Sequence, residues 1–343
     1  MNNSLLQYFV IINISILALT SCAEINIENE NYDSYYIGYK KIEIESNATG
    51  EEFPIAFVYP TKEPSELVEF GPFEMELSIG SEVAQGEFPL VIISHGSGGT
   101  SLGHRSIAFA LVKQGFIVAM PQHPENNYQN NSAAGTVKNW NNRPKHISSV
   151  IDALLSNPEL SRHIDAEKVA VIGHSAGGYT ALAVAGGKAN TGHIIELCET
   201  NPMLNEPFCG LVKENKMKSV EIQNPRDERV KAIVLMAPVG ILFQSKDSLA
   251  QVEIPTLLLR AEKDNELTEP YHSEIIARNY KDKSMLTYRT VENAGHYSFI
   301  TPFPEAIISE LGAVAKDPVG FNREEFHNRL SSEIVSYLKA VLK

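Results

Sequence analysis

Short uninterrupted apolar runs recur along the chain at Leu90–Ser94, Phe116–Met120, Val169–Ile172, Ala232–Met236 and Thr256–Leu259. Runs this short and rich in Val, Ile and Leu predict strands buried on both faces of a parallel sheet. Between them lie segments with helical patterning, Arg105–Gln114, His146–Ser156 and Ala176–Ala185. Phe326, Leu330, Ile334, Leu338 and Leu342 follow one another at i+4 steps and predict a C-terminal helix with one apolar stripe. Nearer the start, Tyr36–Glu45 and Phe53–Tyr59 are rich in aromatic and β-branched residues and are separated by Asn47-Ala48-Thr49-Gly50. That pair predicts an antiparallel hairpin at a sheet edge. The alternation of strand and helix specifies an α/β fold: a mostly parallel, doubly wound sheet with helices on both faces and an antiparallel N-terminal edge. No internal repeat or linker divides residues 35–343, so they are expected to form one domain. Two polar or mixed segments break the alternation, Pro121–Trp140 and Gly186–Arg229. Long excursions of this kind are usually functional. Residues 186–229 are expected to lie as an insertion over a site at the carboxyl ends of the strands.

The first residues have a different character. Met1–Ser21 carries no charged side chain, and its apolar stretch runs from about Tyr8 to Leu19. This is short for a bilayer span of roughly 20 residues but suits a secretory leader. Leu19-Thr20-Ser21-Cys22 resembles the lipobox of bacterial lipoproteins, in which the cysteine becomes lipidated. An uncleaved anchor helix and an ordinary signal peptide are the alternatives, and all three put the folded part outside the cytoplasm. Cleavage before Cys22 leaves 322 of the 343 residues, with residues 22–34 as a tether. The expected location is the bacterial cell envelope, with acyl chains holding the protein on the membrane.

Charge narrows the partners. With 29 Lys+Arg against 42 Asp+Glu the net charge is −13, which excludes nucleic acid and electrostatic docking on anionic lipid. Anchoring therefore rests on the lipid at Cys22. The other two of the three cysteines, Cys198 and Cys209, stand eleven positions apart within the long insertion. Outside the cytoplasm, thiols this close are expected to form a disulfide, with free thiols as the alternative. Neither has the partnered histidine and helix start of a cysteine nucleophile.

The chemistry centres on Gly173-His174-Ser175-Ala176-Gly177, a G-x-S-x-G between a predicted strand and a predicted helix. A serine on so sharp a turn needs small neighbours two positions away on either side, and Gly173 and Gly177 supply them. A serine hydroxyl needs a base, and the base needs a carboxylate to fix its tautomer. His296 follows a strand-like segment in Asn293-Ala294-Gly295-His296 and is the expected base. His174 is assigned to packing. Asp264, in the loop after Thr256–Leu259, is the expected acid, with Glu262 as the alternative. The oxyanion donors are expected to be the backbone N–H groups of Ala176 and Ser97. Ser97 lies in His95-Gly96-Ser97-Gly98-Gly99, where Gly96 and Gly98 allow close approach of the backbone. No lysine follows this turn, so it is no P-loop. His104, His123 and His193 lack metal-ligand spacing and are assigned surface or structural roles. No metal and no cofactor is implied.

Several pieces together carry a family resemblance. They are Pro89–Gly99, Pro121-Gln122-His123-Pro124, Arg143-Pro144, Gly173–Thr180, Met236-Ala237-Pro238 and Asn293–Phe299. With these, Phe88 to about Ile300 resembles the bacterial dienelactone-hydrolase-like proteins. It is also similar to the plasma-type platelet-activating-factor acetylhydrolases of the α/β-hydrolase superfamily. The resemblance implies ester hydrolysis through an acyl-serine, on a small-molecule ester or lipid. True dienelactone hydrolases use a cysteine where this chain has Ser175. Short-acyl esters or short-chain and oxidised phospholipids are the expected substrates, since the predicted roof shows no long apolar lid. A serine peptidase is one alternative, although Ser34–Gln85 is too short for an added propeller domain. A non-catalytic surface binding protein is the other.

Overall fold

In the computed structural model the described residues are 35–201, 206–214, 217–222 and 226–343. The leader, Cys22 and the tether fall outside them. The chain enters the sheet as a hairpin of β1 (Tyr36–Ser46) and β2 (Glu51–Thr61), whose register pairs Tyr36 with Thr61 and Ser46 with Glu51. A second hairpin follows, β3 (Glu66–Phe70) and β4 (Phe73–Ile79), turning at Gly71-Pro72. Then come β5 (Phe88–Ser94), α1 (Arg105–Lys113), β6 (Ile117–Pro121), α2 (Val137–Ser156) and α3 (Pro158–Ser161). β7 (Ile164–His174) and α4 (Ala176–Val184) form the strand–turn–helix around Ser175. The 186–229 insertion holds β8 (Ala189–Asn190), α5 (Gly192–Thr200), α6 (Cys209–Lys213) and β9 (Glu221–Ile222). The rest is β10 (Val230–Met236), β11 (Thr256–Ala261), α7 (Ser273–Asn279), β12 (Leu286–Val291), α8 (Glu305–Leu311) and α9 (Arg323–Val341).

Among the described residues the main sheet has ten strands in the order β12-β11-β10-β7-β5-β6-β2-β1-β4-β3. The run from β12 to β6 is parallel, and β2 joins it antiparallel. This is the expected α/β architecture, with one correction. The β1–β2 hairpin is not the edge, because β4 pairs with the outer side of β1 and β3 closes the sheet. The cause is visible in β4, where Met75 and Leu77 are buried while Glu74 and Glu76 are exposed, the period of a strand covered on one face.

The central strands feed two cores. Leu90 and Ile92 point into one, beneath α2 and α4, and Val91 and Ile93 into the other, beneath α1 and α9. Burying both faces is what makes β5 read as an unbroken apolar run. The α9 stripe from Phe326 to Leu342 is buried throughout.

Helix α2 begins at Val137, well before the expected His146. Thr136 caps it, its hydroxyl accepting the Asn139 N–H at 3.2 Å. Pro144 inside the helix cannot donate to the carbonyl one turn back, that of Trp140. The Tyr179 hydroxyl on α4 donates to that carbonyl instead, at 2.7 Å. A proline that signals a helix boundary in sequence is therefore accommodated by a neighbour in space. In the insertion, Cys198 and Cys209 are joined as a disulfide, Cα atoms 5.4 Å apart, tying α5 to α6.

Candidate active site

From β5 the chain crosses to β6 on one side, then returns to β7 on the other. Loops leaving β5 and β7 diverge there, opening a crevice at the carboxyl ends of the strands, the usual ligand position in such sheets. The turn with Ser97 leaves β5, and Ser175 leaves β7.

Ser175 sits at φ 56° and ψ −118°, a left-handed backbone that a side chain rarely adopts. A Cβ on Gly173 would stand 2.0 Å from the Gly177 carbonyl oxygen, and one on Gly177 would stand 1.9 Å from that of Ser94. Neither place admits a side chain. The turn is held from β10: the Ser175 N–H donates to the Met236 carbonyl, and the Val239 N–H donates to the Ser175 carbonyl, both at 3.0 Å. Such a conformation costs about 1–3 kcal/mol and persists only where its surroundings hold it.

The three side chains expected from sequence meet at this turn. The Ser175 Oγ lies 2.9 Å from His296 Nε2, and His296 Nδ1 lies 2.7 Å from Asp264 Oδ2. Asp264 Oδ1 accepts the N–H groups of Glu266 and Leu267 at 2.9 and 2.8 Å, which fixes the carboxylate. An ionised carboxylate only accepts, so His296 Nδ1 donates to it and Nε2 is left to accept the serine proton. Glu262 is used otherwise: its Oε2 accepts the Asn293 N–H at 2.7 Å and braces the loop that carries His296. Of the two carboxylates it is thus Asp264 that meets His296. His174 has the packing role expected of it, its Nε2 donating to the His296 carbonyl at 2.9 Å with the ring centroids 4.9 Å apart.

Gly96 brings the other turn close, since a Cβ there would lie 3.1 Å from Ser175 Cβ. Gly98 takes φ 67°, and the Gly99 N–H closes the turn on the Gly96 carbonyl at 3.1 Å. Ser97 is exposed on this turn, and Ala176 opens α4 beside Ser175.

Other histidines crowd this region. His104 and His123 are buried, so of the two roles expected for them the structural one holds. His193 is half-buried and bonded to Ser245 Oγ at 2.9 Å. Burial pushes His95 and His104 down to about 3 and His327 down to about 4. It drives His123 and His174 well below the ordinary histidine value. All five are neutral at pH 7. Among the described residues no group of three or more His, Cys, Asp or Glu side chains is arranged to hold a metal ion. What sequence reasoning missed is Arg143, which lies fully buried behind the site. Its only signal was a place in the Arg143-Pro144 motif.

The chlorophyllase family model matches residues 68–299, a span that contains Ser97, Ser175, Asp264 and His296. The chain belongs to the chlorophyllase family. This is an esterase family of the α/β-hydrolase type. Among solved structures the chain is similar to a ferulic acid esterase from Streptomyces cinnamoneus, at 17% identity and a TM-score of 0.61, with 90% of each chain covered. That likeness concerns the fold. No curated protein matches the chain.

Two measurements test this geometry. Asp264→Asn should lower nitrophenyl-acetate turnover on the order of 10⁴-fold, as loss of the orienting carboxylate does in triads. Glu262→Gln should lose less than about tenfold; equal or reversed effects would reassign the acid. The five neutral histidines bind protons more readily in the unfolded chain, so stability is full above about pH 6.5 and falls below it. Each adds a slope of up to about 1.4 kcal/mol per pH unit. The thermal midpoint should therefore begin to drop near pH 6.5, above the range where carboxylates titrate; a midpoint flat down to pH 5 would contradict their neutral burial.

Proposed function

We propose that the protein is a serine-dependent carboxylic ester hydrolase acting through an acyl-serine. The observation that carries this reading is the continuous chain Ser175–His296–Asp264, at 2.9 and 2.7 Å, on a strained turn at the switch point of the sheet. Ser175 Oγ attacks the ester carbonyl while His296 Nε2 takes its proton, and Asp264 stabilises the imidazolium. The N–H groups of Ser97 and Ala176 receive the oxyanion. The alcohol leaves with the proton held by His296. Water, deprotonated by the same nitrogen, then releases the acid and restores Ser175. Membership of an esterase family and likeness to the fold of a ferulic acid esterase agree with this chemistry.

The proposed substrates are short-acyl esters, with short-chain or oxidised phospholipids as the refinement that the acetylhydrolase resemblance favours. The packing of the insertion supports a small acyl group. Phe208 packs edge-on to Trp140 at 5.6 Å, and Leu211 lies against Gly135, so these two apolar side chains are engaged with the fold. The reading also places the enzyme on a membrane through a lipidated Cys22; the mass of the mature N-terminus tests this, and an unmodified Met1 would contradict it.

On a panel of nitrophenyl esters from acetyl to palmitoyl, with phospholipids alongside, kcat/KM should peak at the shortest acyl groups. Ser175→Ala should lose at least about 10³-fold. A peak at long chains would overturn the acyl assignment, and an active Ser175→Ala variant would overturn the serine mechanism.

A further inference from the structure

Arg143, on α2, is fully buried, and none of the groups it bonds is charged. Its Nε donates to Thr180 Oγ1 at 2.9 Å, its Nη1 to Asn126 Oδ1 at 2.6 Å, and its Nη2 to Ser94 Oγ at 3.1 Å and to the His95 carbonyl. Burial pulls the guanidinium down to about 9, which leaves it charged at neutral pH. A buried cation without a carboxylate carries a desolvation penalty of several kcal/mol. General core stability therefore does not account for it.

The four acceptors belong to three segments around the site. Ser94 and His95 lead into the turn that carries Ser97 and packs on Ser175. Thr180 lies on α4, where its hydroxyl donates to the carbonyl of Ala176 at 2.9 Å. Asn126 donates to Asn131 Oδ1 at 2.7 Å, and the Asn131 amide lies against Gly98, 3.4 Å from where a Cβ would be. One rigid fork thus joins both segments assigned to the oxyanion and the loop packed on one of them.

The hydrogen bonds beyond Ser94 run in one direction. The Ser94 hydroxyl, which accepts from Arg143, also lies 2.9 Å from His123 Nε2. His123 Nδ1 then donates to His146 Nδ1 at 3.2 Å, and His146 Nε2 donates to Glu51 Oε2 at 2.8 Å. His146 and Lys138 hold the Glu51 carboxyl down to about 2, so this end accepts at any ordinary pH. The acceptor-only carboxylate sets the row through the neutral imidazoles: each ring donates toward Glu51 and accepts on its other nitrogen, so the Ser94 hydroxyl donates to His123 Nε2.

We infer that Arg143 is a positioning residue that fixes the separation between the Ser97 turn and the Ala176 end of α4, and with it the geometry of the oxyanion site. The inference rests on the serine mechanism proposed above. Lysine would keep the charge but not the planar fork.

The test compares Arg143→Lys and Thr180→Val with Ile151→Val, a core change on α2 that leaves the row intact. It reads kcat and KM on nitrophenyl acetate, the thermal midpoint, and the inhibition constant of an aryl trifluoromethyl ketone, which forms an oxyanion on the serine. Arg143→Lys should lower kcat about 10²-fold with KM within about twofold, and weaken the ketone by a similar factor. Thr180→Val should move both in the same direction by about tenfold. Ile151→Val should lower the midpoint and leave both unchanged. A folded Arg143→Lys with normal kcat and ketone affinity would overturn the inference, as would equal losses in Ile151→Val. If Arg143→Lys does not fold, normal ketone affinity in Thr180→Val overturns it. An active Ser175→Ala would instead refute the serine mechanism, a separate outcome.

Discussion

The structure depends on one close approach, between the end of β5 and the turn that leaves β7. There the Gly177 Cα comes so near the Ser94 carbonyl that a Cβ would stand 1.9 Å from its oxygen. That contact requires glycine at 177, while the turn around the left-handed Ser175 requires a second at 173, where a Cβ would stand 2.0 Å from the Gly177 carbonyl oxygen. It also presses the Ser97 turn against Ser175, so the hydroxyl and the proposed oxyanion donors are set by the same packing. The strain is local and is met by fixed partners, the Met236 carbonyl and the Val239 N–H at the end of β10.

The remaining parts of the site are delivered by the parallel sheet. β11 and β12 pair in register from Thr256–Leu286 to Ala261–Val291, so the loops bearing Asp264 and His296 leave side by side. Backbone bonds lace them together, the Lys263 N–H to the Ala294 carbonyl at 2.8 Å and the Glu262 N–H to the Val291 carbonyl at 3.1 Å. The Glu262 carboxylate then holds the Asn293 N–H. His174, next to Ser175 in sequence, reaches across to the His296 carbonyl. Two neighbouring acids thus have separate tasks, one orienting the imidazole and one bracing its loop. The His296 imidazole is held by loops that leave the same end of the sheet as Ser175.

Much of this was legible in the chain itself. Strands buried on both faces leave apolar runs, and β5, β6, β7, β10 and β11 were each marked by one. The elbow was marked by glycines whose reason is steric, and the order of serine, acid and histidine matched the order of strand ends. What was hidden depends on partners distant in sequence. The β3–β4 hairpin carries a clear polar–apolar alternation, but Gly71-Pro72 and its many glutamates give it the look of a loop. Helix α2 starts nine residues before the patterned His146, and the Tyr179 hydroxyl that lets it run through Pro144 by satisfying the Trp140 carbonyl is invisible from a local pattern. Arg143 and the neutral histidines were obscured for a related reason: charged and titratable residues are normally exposed, and only the fold shows them buried. Residues 1–34, with Cys22, lie outside the described residues, so the proposal of a lipid anchor rests on the sequence.

The central claim is that Ser175 is a nucleophile activated by His296. Its most direct test is reaction of the folded protein with a fluorophosphonate, followed by mass mapping of the adduct. One phosphonyl group should appear on the peptide containing Ser175, and His296→Ala should slow its formation on the order of 10³-fold or more while the protein stays folded. A folded protein that takes up no label, or carries it on another serine, would contradict the account.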